Sequence, residues 1–446
     1  MKKNYLLGMA LMASLSFNSC DKEVVYVQDG NGVESVADGA QIITLQVENG
    51  GDGLATRAGR PLYSAEAKQT IENVKLWICD GAGNVKYVKE ISDWNTDDVS
   101  TVYTTGGHGR QTTIELKDAD KLAAGTYQIY AVGYSNSSAY TLTNVTNVTK
   151  ESAFNENMVL PCSTVGEEIF AGQMELTVEK GKGFKKPVVL NRQVAGAFAY
   201  VKDIPFMEGA KYLKLVASAQ NQSLVLGNFN SFDLTGNGSG NANVKYVVNG
   251  TNGKSGSETY VISTIDLNKW FTAIKDDNGD NLIDAGENWK NPCRPSSSPT
   301  AGTYPTFQKG SAFGGEFVIP FAHVDGKQTL TLQLTNAGGK VLRSWKVNLG
   351  STDEQLKQTI TCWNSGSTDW STSLSGKLAN TYSLVRNHLY GIGTRMNDEA
   401  NPEKPGVDPD PNPENPNDKP ESLNNKQELV LKVNDNWEVI HGMELD

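Results

Sequence analysis

The sequence predicts an all-β protein of two tandem antiparallel β-sandwich domains. Two observations carry that expectation. Between Arg57 and Arg395, short apolar runs alternate with polar residues and break at Gly, Asn, Ser and Asp, with almost no helical period. Near the C-terminus, a strand-like segment stands with no hairpin partner nearby, and its pattern recurs near the front of the chain.

The elements follow in order. Lys2 and Lys3 precede an apolar run over 5–17 that stops at Ser19 and Cys20, the pattern of an export signal too short to span a bilayer. Ser19 before Cys20, then Asp21, Lys22 and Glu23, resembles the lipobox of bacterial lipoproteins, in which the cysteine is fatty-acylated. The plain alternative is an ordinary secretory signal with a chance cysteine. Each buried CH₂ of an acyl chain contributes roughly 0.8 kcal/mol, so several chains at Cys20 would anchor firmly. Strands are expected over 74–79, 85–90, 112–116, 126–134, 188–190 and 194–201 in the first sandwich. The second takes 212–217, 259–262, 316–321, 330–334, 342–349 and 382–392, with the boundary near 203–205. Short helices are expected only at 119–123, 267–274 and 353–357.

Beyond these, a proline-rich leash over 401–420 cannot pair into a sheet, because proline lacks the N–H that ladders need. At about 3.1 Å per residue it reaches some 60 Å. It ends in a lone strand over 427–446, in which Leu429, Leu431 and Val433 alternate with Val430 and Lys432, and Trp437 and Val439 continue the apolar beat. Near the front, Ile43, Leu45 and Val47 have the same spacing. Equal spacing on a strand fills the same row of pockets, so the two segments share one inward code.

The charge balance narrows the function classes. The chain has 446 residues and a formal net charge of -11, with no basic stripe, so a phosphate polymer would be repelled and nucleic acid is not expected as a partner. Four cysteines follow Cys20, in a compartment where disulfides persist. Cys79 with Cys162 and Cys293 with Cys362 is the simplest pairing, and free buried thiols are the alternative. None has the spacing of a zinc knuckle.

The runs AAGTYQIYAVGYSN (123–136), EEIFAG (167–172), VLNRQVAGAFA (189–199) and VRNHLYGI (385–392), in that order, resemble the fimbrillin family. These are the Mfa-like and major fimbrial subunits of type V pili on Gram-negative anaerobes. The resemblance implies transthyretin-like sandwiches, a removable N-terminal strand and an extended C-terminal donor strand. It implies a lipoprotein precursor at the outer membrane, cut after an arginine by a trypsin-like surface protease. The vacated groove then accepts the C-terminal strand of another copy or of a fimbrial accessory subunit, and the mature form lies in extracellular fimbriae. The implied organisation is a signal peptide (1–19), a lipidated propeptide with the first strand (20–57), two sandwiches (58–204 and 205–398), a linker (399–423) and a donor strand (424–446). Leu429, Leu431, Val433, Trp437 and Val439 are the candidate pocket fillers.

Chemistry selects the cut. Arg57 and Arg60 both lie in a Gly-rich stretch, but Pro61 follows Arg60 and obstructs that bond. The bond between Arg57 and Ala58 is therefore expected to be cleaved, the alternative being that Arg57 is a solvated linker residue.

One stretch has cation-ligand spacing. Asp276, Asn278, Asp280, Asp284 and Glu287 occupy positions 1, 3, 5, 9 and 12 of a calcium loop, Leu282 would give its backbone carbonyl, and Asn281 stands where glycine is usual. A bare acidic turn is the alternative. Enzyme signals are poor: Gly253, Lys254 and Ser255 echo a phosphate loop, but Val248 stands where its first glycine belongs. His388 reads as a structural histidine on a strand.

Three function classes remain, none of them nucleic-acid binding. A pilus shaft subunit uses the lipobox, Arg57, both end strands and the leash together. A glycan-binding surface lipoprotein with exposed aromatics such as Trp94 or Trp370 leaves the tail idle, and a hydrolase explains less. Within the pilus class, an accessory, tip or anchor subunit is the alternative.

Overall fold

A computed structural model of the chain describes residues 26–28, 34–36, 39–48, 70–103, 109–163, 167–227, 235–236, 242–292, 307–321, 330–349, 357–375, 384–395, 419–424 and 426–433. Apart from α1 (Thr143–Thr146), α2 (Leu267–Trp270) and a 3-10 turn at Asp118–Asp120, the described residues are strands and their connections. The protein is all-β, as its alternating runs predict.

Strands β1 (Tyr26–Gln28), β2 (Glu34–Val36), β3 (Gln41–Glu48), β4 (Asn73–Asp80), β5 (Val85–Ile91), β6 (Thr101–Tyr103), β7 (Gly109–Leu116) and β8 (Gly125–Tyr134) belong to the first large sheet. After β9 (Val159–Pro161), which lies in a small separate sheet, β10 (Phe170–Val178) and β11 (Phe184–Arg192) complete it. Its order is β5-β4-β8-β10-β11-β3-β7-β6, with β2 also against β11. The chain then enters the second large sheet with β12 (Ala195–Lys202) and β13 (Ala210–Gln220). Smaller pieces follow: β14 (Ser223–Val225), β15 (Thr235–Gly236), β16 (Ala242–Val248) and β17 (Gly250–Thr251). The second sheet resumes with β18 (Lys254–Asp266), β19 (Ala312–Val318), β20 (Leu330–Asn336) and β21 (Val341–Leu349). A hairpin of β22 (Lys357–Asn364) and β23 (Asp369–Ser375) joins β15 and β16 in a four-stranded sheet. The chain closes with β24 (Leu389–Ile392), β25 (Glu421–Ser422) and β26 (Glu428–Val433), giving a second-sheet order of β18-β13-β20-β21-β26-β24-β12-β19. That sheet curls until its ends meet, because a Cβ on Gly314 of β19 would press on Ile265 of β18.

Three expectations are corrected. The sheets are mixed rather than antiparallel: β3 runs parallel to β11, β26 to β21 and β12 to β24. Strands delivered from the chain ends arrive by long connections, which impose no hairpin direction. Second, β12 belongs to the second sheet, so the sheets change over at 193–194 and not at 203–205. Both faces of β12 are buried, and an unbroken apolar run does not say which sheet holds it. Third, the helix expected at 267–274 stops at Trp270, where Phe271 turns extended and bridges Trp289. The one expected at 119–123 is a 3-10 turn centred on Ala119, and 353–357 lies outside the described residues except for Lys357, which opens β22.

Two cores result. Ile43, Leu45 and Val47 pack inside the first sheet with Leu76, Ile78, Trp94, Phe170 and Leu190. The larger core is continuous from Trp77 and Val132 on the outer face of the first sheet to Phe198, Leu213 and Trp345 in the second.

Candidate functional site

Strand β3 is inserted between two others. It pairs antiparallel with β7 from Gln41 opposite Leu116 to Glu48 opposite Gly109, and parallel with β11 from Gln41 opposite Phe184 to Val47 opposite Leu190. Alternation places Ile43, Leu45 and Val47 in the core with no exposed surface, while Ile42, Thr44 and Gln46 are half-buried. Its ends are clamped. Gln41 donates through Nε2 to the Leu122 carbonyl (2.9 Å) and accepts at Oε1 from the Leu122 N–H (2.7 Å). Gln46 Nε2 donates to Gln111 Oε1 (3.0 Å). Three fully buried aliphatic side chains contribute on the order of 5–9 kcal/mol, so withdrawal of β3 opens a costly apolar groove.

The C-terminal segment departs from expectation. It is not an unpartnered strand: β26 is an interior member of its own second sheet, parallel to β21 (Val347 opposite Leu429) and antiparallel to β24 (Ile392 opposite Leu431). Leu429 and Leu431 are buried and Val430 and Lys432 exposed, which is the alternation expected. The end of the leash is docked too, since Lys419 pairs with Thr394, β25 lies parallel to β12 and the Leu423 N–H donates to the Lys202 carbonyl (2.9 Å). The code that suits a foreign groove suits the chain's own, and the sequence alone does not distinguish them. Each end strand thus occupies its own slot, parallel to one neighbour and antiparallel to the other. Val433 closes β26, while Trp437 and Val439 lie outside the described residues.

Downstream of β3, the described chain resumes at Thr70, and that residue is held firmly. Its N–H and Oγ1 donate to Glu168 Oε2 at 2.8 and 2.7 Å, while Glu168 Oε1 accepts from Arg192 Nε at 2.6 Å and Nη2 at 2.5 Å. Both charged side chains are fully buried. Burial lowers the pKa of Arg192, and the neighbouring Glu168 works against that shift. The segment 49–69, which contains Arg57 and Ala58 and lies outside the described residues, therefore spans two fixed points. Sequence reasoning missed Glu168 and Arg192. The signal was a charge inside an otherwise apolar motif.

The motifs that carry the family resemblance meet in space. The Gln193 N–H donates to the Ile169 carbonyl (2.7 Å), and Gln193 Oε1 accepts from Arg386 Nη1 (2.9 Å). Asn387 N donates to Val194 O, and Gly196 N donates to His388 O. Burial lowers the Arg386 pKa to about 9. His388 is buried, and its Nδ1 lies 2.9 Å from the Arg386 carbonyl, as befits a structural role. This junction joins the two sheets.

Other expected residues are placed differently. Cys79 is a free thiol in the core with a pKa pushed up to about 12, by burial first and Asp80 second, so its pairing with Cys162 is not made. Cys162 ends the 159–162 stretch opposite Tyr140, and Cys362 lies on β22; Cys293 and Cys20 lie outside the described residues. Trp94 is fully buried rather than exposed, and Trp370 is half-buried, donating Nε1 to Asn157 Oδ1 (2.8 Å).

The 276–287 loop closes on itself through side-chain oxygens. Asp276 accepts from the N–H groups of Gly279 (2.8 Å), Asp280 (3.2 Å) and Asn281 (2.9 Å), Asn278 from Asp280 (2.9 Å), Asp280 from Leu282 (2.8 Å) and Asp284 from Asp277 (2.8 Å). Asn281 is left-handed at φ 64°, as its place in the pattern requires. Glu287 is exposed, and among the described residues no three His, Cys, Asp or Glu gather where they could hold a metal ion.

No protein-family model and no curated protein matches the chain. Solved structures do. A fimbrial assembly protein from Parabacteroides distasonis ATCC 8503 is 12% identical, covering 78% of this chain and 98% of its own, with a TM-score of 0.34. The fimbrial anchor protein Mfa2 from Porphyromonas gingivalis is 10% identical over 77% of this chain and 99% of its own, with a TM-score of 0.33. The tip fimbrial protein Mfa3 from Porphyromonas gingivalis, truncated at its C-terminus, is 10% identical over 79% and 94%, with a TM-score of 0.36. The structural neighbours are Mfa-type fimbrial proteins and putative adhesins, similar at low identity and low coordinate overlap, and the functional reading stands on the end strands.

Proposed function

We propose that this chain is a non-enzymatic structural subunit of a cell-surface fimbria, assembled by strand exchange. A precursor acylated at Cys20 would sit at the outer membrane. A trypsin-like protease would cut between Arg57 and Ala58, β3 would leave, and the slot between β7 and β11 would take the 424–446 segment of another copy. The observation that carries this reading is the placement of β3, an inserted strand whose covalent link to the strands that follow runs through the segment bearing Arg57. The donor must first leave its own sheet. Transfer is favoured because β3's slot pairs a strand over 41–48 on one side and 41–47 on the other, whereas β26 pairs with β21 over 428–431 and with β24 over 431–433. Possession of both a slot and a donor suits a shaft subunit; a tip subunit needs only the slot. Trypsin treatment of lipid-free precursor tests the reading: full-length protein should form heat-resistant multimers and protein lacking 424–446 should stay monomeric, whereas multimers from the truncated protein would overturn it.

Calcium at the 276–287 loop is a separate proposal, supported by the one-to-six hydrogen-bond pattern around Asp276. Asp284 and Glu287 would have to turn inward. Calorimetry with calcium alone tests it: binding at submillimolar concentration supports it, and no heat below millimolar overturns it.

A further inference from the structure

On the outer face of the first sheet, away from both end-strand slots, an open cleft of about 510 Å³ lies beyond the end of the main core. Its floor is set by the register of β4 and β8, in which Trp77 stands opposite Tyr130 and Cys79 opposite Gln128. Side chains two apart share a face, so Tyr130, Gln128 and Thr126 step outward from the core into the cleft. The loop over 154–157 forms the facing wall. Phe154 stacks on Tyr130 with ring centroids 4.3 Å apart and planes 22° from parallel, and both rings are half-exposed. Tyr130 donates its hydroxyl proton to Glu156 Oε2 (3.1 Å). Burial and the adjoining carboxylate raise the pKa of that phenol, which keeps it a donor. Asn157 engages its Oδ1 with Trp370, itself packed edge-on against Trp363 at 5.3 Å, and so presents its NH₂ group. That wall is fixed from behind: a Cβ on Gly227, at φ 115°, would strike Asn157 Oδ1 at 2.4 Å.

We propose that this cleft binds a neutral pyranose sugar. Its size falls within the range of roughly 300–1,000 Å³ typical of small-ligand sites. Stacked, half-exposed aromatic rings accept the apolar C–H face of a sugar ring. Planar amides and a carboxylate at Gln128, Asn155, Asn157 and Glu156 match pairs of adjacent hydroxyls, each a donor and an acceptor. The lining has no lysine or arginine, and although Asp80 is paired with Lys86 (3.3 Å) outside it, Glu156 keeps a negative charge at the wall, so phosphorylated, sulfated or carboxylated ligands are disfavoured. The Cys79 thiol at the base keeps its proton at neutral pH. This site goes beyond the fimbrial reading and does not depend on strand exchange.

Saturation-transfer NMR on the full chain tests it, with methyl mannoside, methyl galactoside, N-acetylglucosamine and the anionic glucuronate as probes at millimolar concentration. At least one neutral sugar should receive saturation at its ring protons, with affinity falling roughly tenfold in Tyr130→Ala and in Gln128→Ala, the size of one lost stacking or hydrogen-bonding contact. Gln128 is half-buried on a sheet face, so Gln128→Ala keeps the test decisive should Tyr130→Ala fail to fold. Absence of transfer to every neutral sugar, transfer unchanged in Gln128→Ala, or preference for glucuronate would each overturn the proposal.

Discussion

Individual residues decide whether the frame stands. The buried Glu168–Arg192 pair holds Thr70, and removing one partner leaves the other charge uncompensated in the core. Glu168→Ala should therefore destabilise the fold by about 3–5 kcal/mol, read from urea unfolding; a change below about 1 kcal/mol would show the pair to be dispensable. Gly172 lies where β10 crosses β11, and a Cβ there would meet the Val189 carbonyl oxygen at 2.0 Å, so Gly172→Ala should shift backbone and lower the melting temperature. Cys79 gives a pH-dependent prediction. Its folded pKa is raised from 9.0 to about 12, so the folded protein keeps a proton that the unfolded chain loses, and stability should fall as pH rises above 9.0. Cys79→Ala should remove that part of the slope. Native alkylation at neutral pH should spare Cys79 and denaturation should expose it, whereas recovery of a Cys79–Cys162 bridge by mass spectrometry would contradict the placement. The free buried thiol at Cys79 was the alternative that the sequence offered, whereas the roles of Glu168, Arg192 and Gly172 were not legible: a glutamate in EEIFAG and an arginine in VLNRQVAGAFA announce burial only once two distant strands meet.

At the scale of elements, most of the fold was legible, because period-two alternation survives in β3, β20 and the closing halves of β7 and β21, while β4 and β8 stand out as runs of strand formers bounded by turn residues. Direction and sheet membership were not. β12 is apolar on both faces and reads alike in either sheet, and β3 and β26 reach their slots through long connections whose course alternation does not encode. Ile43, Leu45, Val47, Leu429 and Leu431 face inward as alternation predicts, while the home of β26 was not foreseen, since its own slot and a neighbour's demand the same side chains. Leu45 tests how strongly β3 is held: Leu45→Ala should cost about 2–5 kcal/mol in the uncut protein. Arg57→Ala should leave stability unchanged while blocking the release of β3 by an arginine-specific protease, which spares Lys68 in the same segment, as read from retention of the N-terminal fragment in size-exclusion chromatography. Release at the normal rate would move the cut elsewhere.

For the whole molecule, the central claim is that both terminal strands are lodgers: β3 must leave to open a slot, and β26 must leave its own sheet to fill the slot of another copy. The most direct measurement locks β26 in place. Asn348 and Val430 face each other across the β21–β26 ladder, half-buried and exposed respectively, so Asn348→Cys with Val430→Cys places two thiols where a disulfide can form with the sheet intact. After trypsin treatment, the account predicts a ladder of heat-resistant multimers from the reduced double variant and monomer alone from the oxidised one. An equal ladder from both would contradict it, because the C-terminal strand would then have joined no other copy.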